Sequence, residues 1–155
     1  MISHLNKKNK PTIVDISSKK ITSRMAIAQG IVEFSKSTYK KIESLKTKKG
    51  EIKSIAIIAG ILGAKKTSDV IPLCHNIKIE NIDIDIQAIK KISSLKVTSS
   101  VKSRGKTGVE MEALNAVSVA CLTLYDMCKS IDKKIIIKNI KLLKKSGGKT
   151  NFLIT

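Results

Sequence analysis

Acidic residues, aromatics and cysteine are all scarce in this chain. Against 30 lysines and arginines stand 12 aspartates and glutamates, a net charge of +18 over 155 residues. That balance suits a polyanionic partner: nucleic acid, an anionic lipid surface or a phosphorylated substrate. Aromatic residues make up only 3% of the chain, and tryptophan is absent. Proteins that hold single-stranded nucleic acid stack bases on aromatic rings, and Phe34, Tyr39, Tyr125 and Phe152 are too few for such a platform. General RNA binding is therefore disfavoured. The lysines are also scattered in pairs, such as Lys40 with Lys41 and Lys133 with Lys134, beside heavy use of isoleucine. A bias of that kind is what an AT-rich genome produces, so charge alone identifies no partner.

The three cysteines, Cys74, Cys121 and Cys128, are odd in number and lack CxxC spacing. Neither a disulfide framework nor a zinc ribbon is suggested. Long apolar runs are missing as well. The opening "MISHLNKKNKPTIVD" has no signal-like apolar segment, and the longest uncharged stretch, Ala113 to Tyr125, is too short to cross a bilayer. A cytoplasmic protein with no membrane segment is expected. Hydrophobic residues at 42% and charged residues at 27% are ordinary for a folded domain. The expected organisation is a flexible arm over residues 1–14, containing Pro11, and one domain over 15–155.

Within that domain, "SRMAIAQGIVEF" reads as a strand with a bulge at Gly30. The hydroxyl-rich start of "SKSTYKKIESLK" can cap a helix. From Glu51, Ile52, Ile55, Ile58 or Ala59, and Leu62 fall at helical spacing, which predicts a largely buried helix. "IKIENIDIDIQAI" alternates with period two and steps register at Glu80 and Asn81. Lys90 and Lys91 turn the chain into a second strand, "ISSLKVTSSVKS". "TGVE", Thr107 to Glu110, reads as a capping box at the start of a long helix reaching about Lys129. A last strand, "IIIKNIKLL", precedes "KKSGGKT". The order β, α, α, β, β, α, β predicts an α+β fold: a ferredoxin-like antiparallel sheet with helices packed on one face.

Several constellations could carry chemistry. In "IPLCHN", an extended backbone would send Cys74 and His75 to opposite sides, so the two cannot act as a nucleophile–base pair. A plain helix-to-strand connection with a satisfied histidine fits as well. Asp126 and Lys129 are three apart on the long helix and share a face, which a simple surface pair also explains. Glu112 precedes Asp126 by four near-whole turns, about 21 Å along the axis. One small substrate could not reach both from a single subunit, so if both are functional the site is shared across an interface. Glu110 and Glu112 suit the positive end of the helix dipole, and core packing accounts for Cys121 and Cys128. "RGKTG" and "SGGKT" both fail as phosphate-binding P-loops, because the required first glycine falls at Ser100 or Leu143. Gly147 and Gly148, flanked by Lys145 and Lys149, could still wrap phosphates through backbone amides, or form a solvated tail.

Taken together, "AGILGAKKTSDVIPLCHNIKI", "GKTGVEMEALNAVSVACLTLYDMCKSIDK" and "LLKKSGGKT" resemble the molybdenum cofactor biosynthesis protein C family, the cyclic pyranopterin monophosphate synthases. The likeness runs from Ile13 to the glycine pair. It implies a lyase that converts 3',8-cyclo-7,8-dihydro-GTP to cyclic pyranopterin monophosphate and releases pyrophosphate. It also implies a hexamer, a trimer of dimers, with sites at subunit interfaces. Carried over residue by residue, the resemblance makes Asp126, Lys129 and Lys49 catalytic. It assigns substrate binding to Leu73, Cys74, His75, Met111, Glu112, Lys145 and Arg24, and it implies no protein-held metal. Whether magnesium accompanies the pyrophosphate stays open. Converging cations would bind the triphosphate and steady the departing pyrophosphate. Crowded lysines would depress one another's pKa and so trade protons near neutral pH, with Asp126 orienting Lys129. The chain departs from the family pattern at Asn76, where a proline is usual, and in its "TNFLIT" tail. The alternative is a basic nucleic-acid-binding module of the same fold.

Overall fold

Small and β-branched residues alternate along the first strand, and their inward set determines how closely a helix can approach. The computed structural model describes residues 4–44 and 52–154. Strand β1 (Thr22–Glu33) buries Ala26, Ala28, Gly30 and Val32. It pairs antiparallel with β3 (Ser94–Gly105) on one side and β4 (Ile136–Ser146) on the other. Strand β2 (Ile79–Ile89) extends the sheet beyond β3, and the short β5 (Phe152–Leu153) extends it beyond β4, for the order β2-β3-β1-β4-β5. The register step expected near Glu80 lies between Ile79 and Asn81. A 3-10 turn, Lys90–Ile92, joins β2 to β3. The fold is α+β, with a five-stranded antiparallel sheet.

Helix α4 (Glu110–Cys128) lies on this sheet with Ala113, Ala116, Val117, Ala120, Cys121, Leu124 and Cys128 buried. The two cysteines are core residues, as packing alone predicts. Burial pushes the Cys121 thiol up to about 12 and the Cys128 thiol up to about 11. The helix comes close at Gly30. A Cβ there would stand 2.7 Å from Val117 Cγ1 and 3.0 Å from Cys121 Sγ. The ladder to β4 is irregular at the same place: between Gln29 and Ile31 the single residue Gly30 faces two on β4, Asn139 and Ile140, so the bulge expected in β1 lies on the partner strand, where Asn139 takes φ +56. Gly30→Ala is expected to lower unfolding free energy by about 1–3 kcal/mol through overpacking. A lower urea midpoint would register it, whereas an unchanged midpoint would mean that α4 can shift without strain.

Ser35 caps α1 (Lys36–Ser44) by accepting a hydrogen bond from the Thr38 amide at 3.2 Å. Helix α2 (Ile52–Lys65) packs on α4, but not with the face expected from its large apolar residues. Its buried residues are Ile52, Ala56, Gly60, Gly63 and Ala64, while Ile58 and Leu62 are 67% and 57% exposed. Two helices approach closely through small residues, so the seam selects Ala and Gly and turns the bulky side chains outward. A short α3 (Thr67–Val70) follows, and Asn115 of α4 ties this corner by donating to Gly63 O at 2.8 Å.

Candidate active site

The antiparallel pairings bring three strand ends to one corner. Thr22 at the start of β1 lies opposite Gly105 at the end of β3, and Ala26 lies opposite Lys145 near the end of β4. The chain must turn sharply after β4, and Gly147 does so with φ +87, where a Cβ would overlap the Ser23 carbonyl. Thr22 Oγ1 fixes that turn by donating to Gly147 O at 2.7 Å. Between these ends opens a cleft of about 680 Å³. Its wall carries six cationic side chains, Lys19, Lys20, Arg24, Lys106, Lys145 and Lys149, against one carboxylate, Glu110.

Backbone carbonyls hold two of these cations, Arg24 and Lys106, in place. The Arg24 guanidinium donates to Gly105 O at 3.3 Å and Lys106 O at 3.4 Å, bracing the loop before α4. Lys106 Nζ donates to Ser17 O at 2.6 Å, which brings the segment carrying Lys19 and Lys20 to the rim. The capping box expected over Thr107 to Glu110 does not form. Helix α4 begins at Glu110 with Val109 at the cap position and no side-chain cap bond, and Glu110 Oε1 lies instead 3.1 Å from Lys145 Nζ. The neighbouring cation competes successfully for a carboxylate that the sequence pattern would have turned back on the backbone.

In the first turn of α4, Glu112 is 3% exposed. Burial pushes its carboxyl up to about 7; its own backbone amide opposes the shift and the charge of Glu110 adds to it. Cys74 lies within electrostatic reach: burial first, then the Glu112 charge, raises its thiol above the ordinary range. His75 turns to a different partner, its Nε2–H donating to the Val14 carbonyl at 2.7 Å. The neighbours thus serve separate contacts, as an extended backbone requires. Leu73 is half-buried and Met111 exposed.

Asp126 and Lys129 sit at the opposite end of α4, joined by an ion pair of 2.6 Å with both side chains more than half exposed. The hydrogen bond and charge of Asp126 hold the Lys129 ammonium above its usual range. The expected depression of a crowded lysine is therefore corrected within one chain: the nearest group is a carboxylate, so the charged form is favoured. From Glu110 to Cys128 the helix spans 19 residues, about 27 Å.

The expected residues thus lie in separate places. Arg24 and Lys145 line the cleft, Glu112 stands in the first turn of α4 with Cys74 beside it, and Asp126 with Lys129 lies at the far end of that helix; Lys49 lies outside the described residues. Lys19, Lys20, Lys106 and Glu110 were not singled out as site residues from sequence. Their signal lay in "RGKTG", set aside because it fails as a P-loop, and in a lysine pair indistinguishable from the other pairs. No helix among the described residues is long and apolar enough to cross a membrane.

A family profile described as the MoaC family matches residues 13–148. The chain is 49% identical over 150 residues to the cyclic pyranopterin monophosphate synthase of Helicobacter pylori strain G27, covering 97% of this chain and 95% of that protein. The synthase of Lysinibacillus sphaericus strain C3-41 is likewise 49% identical over 150 residues, with 96% and 94% covered. That of Clostridium acetobutylicum is 45% identical over 150 residues, with 97% and 93% covered.

Proposed function

The chain belongs to the MoaC family, and from that premise we propose that it is a cyclic pyranopterin monophosphate synthase. It takes 3',8-cyclo-7,8-dihydro-GTP to cyclic pyranopterin monophosphate and pyrophosphate, a lyase step in molybdenum cofactor synthesis. The observation that carries this reading is the cleft whose six cations face a single carboxylate. A triphosphate with about four negative charges finds there both affinity and a sink for charge on the leaving group. As the cyclic phosphate forms, a hydroxyl oxygen of the substrate attacks the α-phosphorus and gives up its proton to a neighbouring base, while the bond from that phosphorus to the α,β-bridging oxygen breaks. Negative charge then grows on pyrophosphate, where Arg24 and Lys145 stand.

Ring opening and reclosure need proton transfers. Neutral Glu112 can donate at pH 7 and then accept, with Cys74 beside it as a thiol. Protonated Lys129, oriented by Asp126, supplies a second donor, and Lys49 a second amine. Leu73, His75 and Met111 complete the substrate contacts. The reading requires no resident cofactor, and a magnesium ion arriving with the triphosphate counts as part of the substrate.

A single pterin triphosphate cannot span the 27 Å or so between the two ends of α4. The complete site therefore combines the cleft of one chain with the Asp126–Lys129 end of another, in a homohexamer arranged as a trimer of dimers. Outward-facing Ile58, Leu62 and Leu122 supply apolar surface for such contacts. The domain proper is residues 15–155; before it lies an N-terminal arm in which Leu5 pairs with Pro11 and Val14 accepts from His75, and the setting is the cytoplasm. A nucleic-acid-binding role is less well supported, because Phe34 and Tyr39, two of the four aromatics, are core residues unable to stack bases. The test is incubation of the purified chain with the cyclised dihydro-GTP. Equimolar cyclic monophosphate and pyrophosphate are expected, and substrate recovered unchanged would refute the assignment.

A further inference from the structure

Glu110 is the one acid on a wall of cations, and two observations show that its place there is built in. Its carboxylate lies 3.1 Å from Lys145 Nζ, with both side chains about a third exposed. The backbone also makes room for it. A Cβ on Gly108 would overlap Glu110 Oε2 and stand 2.6 Å from Cδ and 2.8 Å from Oε1, so the three atoms nearest to it all belong to this carboxylate. Gly108 lies outside the positive-φ residues, so alanine fits its backbone and would displace only the flexible end of Glu110.

We propose that Glu110 is a positioning residue and built-in counter-anion of the cleft, holding Lys145 in place while the cleft is empty and competing with pyrophosphate for it. The role rests on reading the cleft as the triphosphate end of the site. Six cations around a compact polyanion make release of the product the difficult step. A carboxylate able to re-form its own pair with Lys145 weakens that grip and hastens departure. An acid in the first turn of a helix also favours the dipole, but that structural role predicts a change in stability alone. It gives no reason for removal of the charge to tighten anion binding.

Calorimetric titration of the full-length chain with inorganic pyrophosphate separates these outcomes. Glu110→Gln is expected to bind about three- to tenfold tighter than wild type, the scale of one partly exposed ion pair. The gain should shrink at high salt. Gly108→Ala, which keeps the charge but pushes it off Lys145, should move affinity in the same direction. It should add nothing once Glu110 is already glutamine. Both single variants should also be inhibited by added pyrophosphate at correspondingly lower concentrations during turnover. If wild type binds pyrophosphate and neither variant binds tighter, the counter-anion role is wrong and the cleft assignment stands. If neither wild type nor Glu110→Gln binds pyrophosphate, the cleft assignment falls and the role falls with it.

Discussion

Lys129→Ala is expected to reduce turnover of the cyclised dihydro-GTP by about a thousandfold, within the range that a positioned proton donor contributes. Folding should be nearly unaffected. Lys129 caps the end of α4 with its ammonium 2.6 Å from Asp126, and both groups are largely in water. An exposed pair of this kind contributes little to stability. Because Asp126 raises its pKa, Lys129 enters the reaction as a cation, either protonating the substrate or steadying negative charge. Asp126→Asn removes the main cause of that rise, so the alkaline limb of the pH–rate profile should move to lower pH. Turnover by Lys129→Ala close to that of wild type would remove Lys129 from the mechanism.

Glu112→Gln should separate stability from activity. The folded carboxyl titrates at about 7 against an ordinary value of 4.5, chiefly because it is buried. The raised value means that folding favours the protonated form. Below the unfolded pKa both states are neutral and no penalty arises. Between 4.5 and 7 the unfolded state ionises first, so stability falls with rising pH; above 7 the penalty is constant. A shift of this size corresponds to roughly 3 kcal/mol. Glutamine keeps the shape without the charge, so the variant should match wild type near pH 4 and be more stable by roughly 3 kcal/mol at pH 8. Its activity should nevertheless drop, since glutamine cannot pass a proton. Urea denaturation at the two pH values checks this, and equal stability at pH 8 would mean that Glu112 is ionised without penalty.

What could be read from sequence was whatever periodicity and local chemistry determine. The isoleucine alternation from Ile79 to Ile89 and the long helix through Tyr125 depend on neighbours a few residues away. Where tertiary partners decide, the reading failed. Large apolar residues mark the buried face of an isolated amphipathic helix, but α2 meets α4 through alanine and glycine, leaving Ile58 and Leu62 outside. The capping box was a sound local pattern that lost to Lys145, a cation 35 positions away in the chain.

The site follows the same division. The separation of Cys74 from His75 and the distance between the two ends of α4 follow from backbone geometry, so both could be stated beforehand. The convergence of Lys19, Lys20, Arg24, Lys106, Lys145 and Lys149 could not, because it needs the strand ends to meet. Scattered lysines in one dimension become a phosphate-sized cluster only after β1 is placed between β3 and β4. The charge excess that composition left ambiguous thus has a local destination for six of its members.

Subunit complementation tests the shared site most directly. Two inactive variants, Lys129→Ala and Lys145→Ala, are co-expressed in equal amounts and assayed for cyclic pyranopterin monophosphate. If cleft and proton donor come from different chains, half of the pairs are mixed and each mixed pair carries one intact site, so about a quarter of wild-type activity should return. Activity no higher than that of either variant alone would place both residues of every site in one chain and contradict the account.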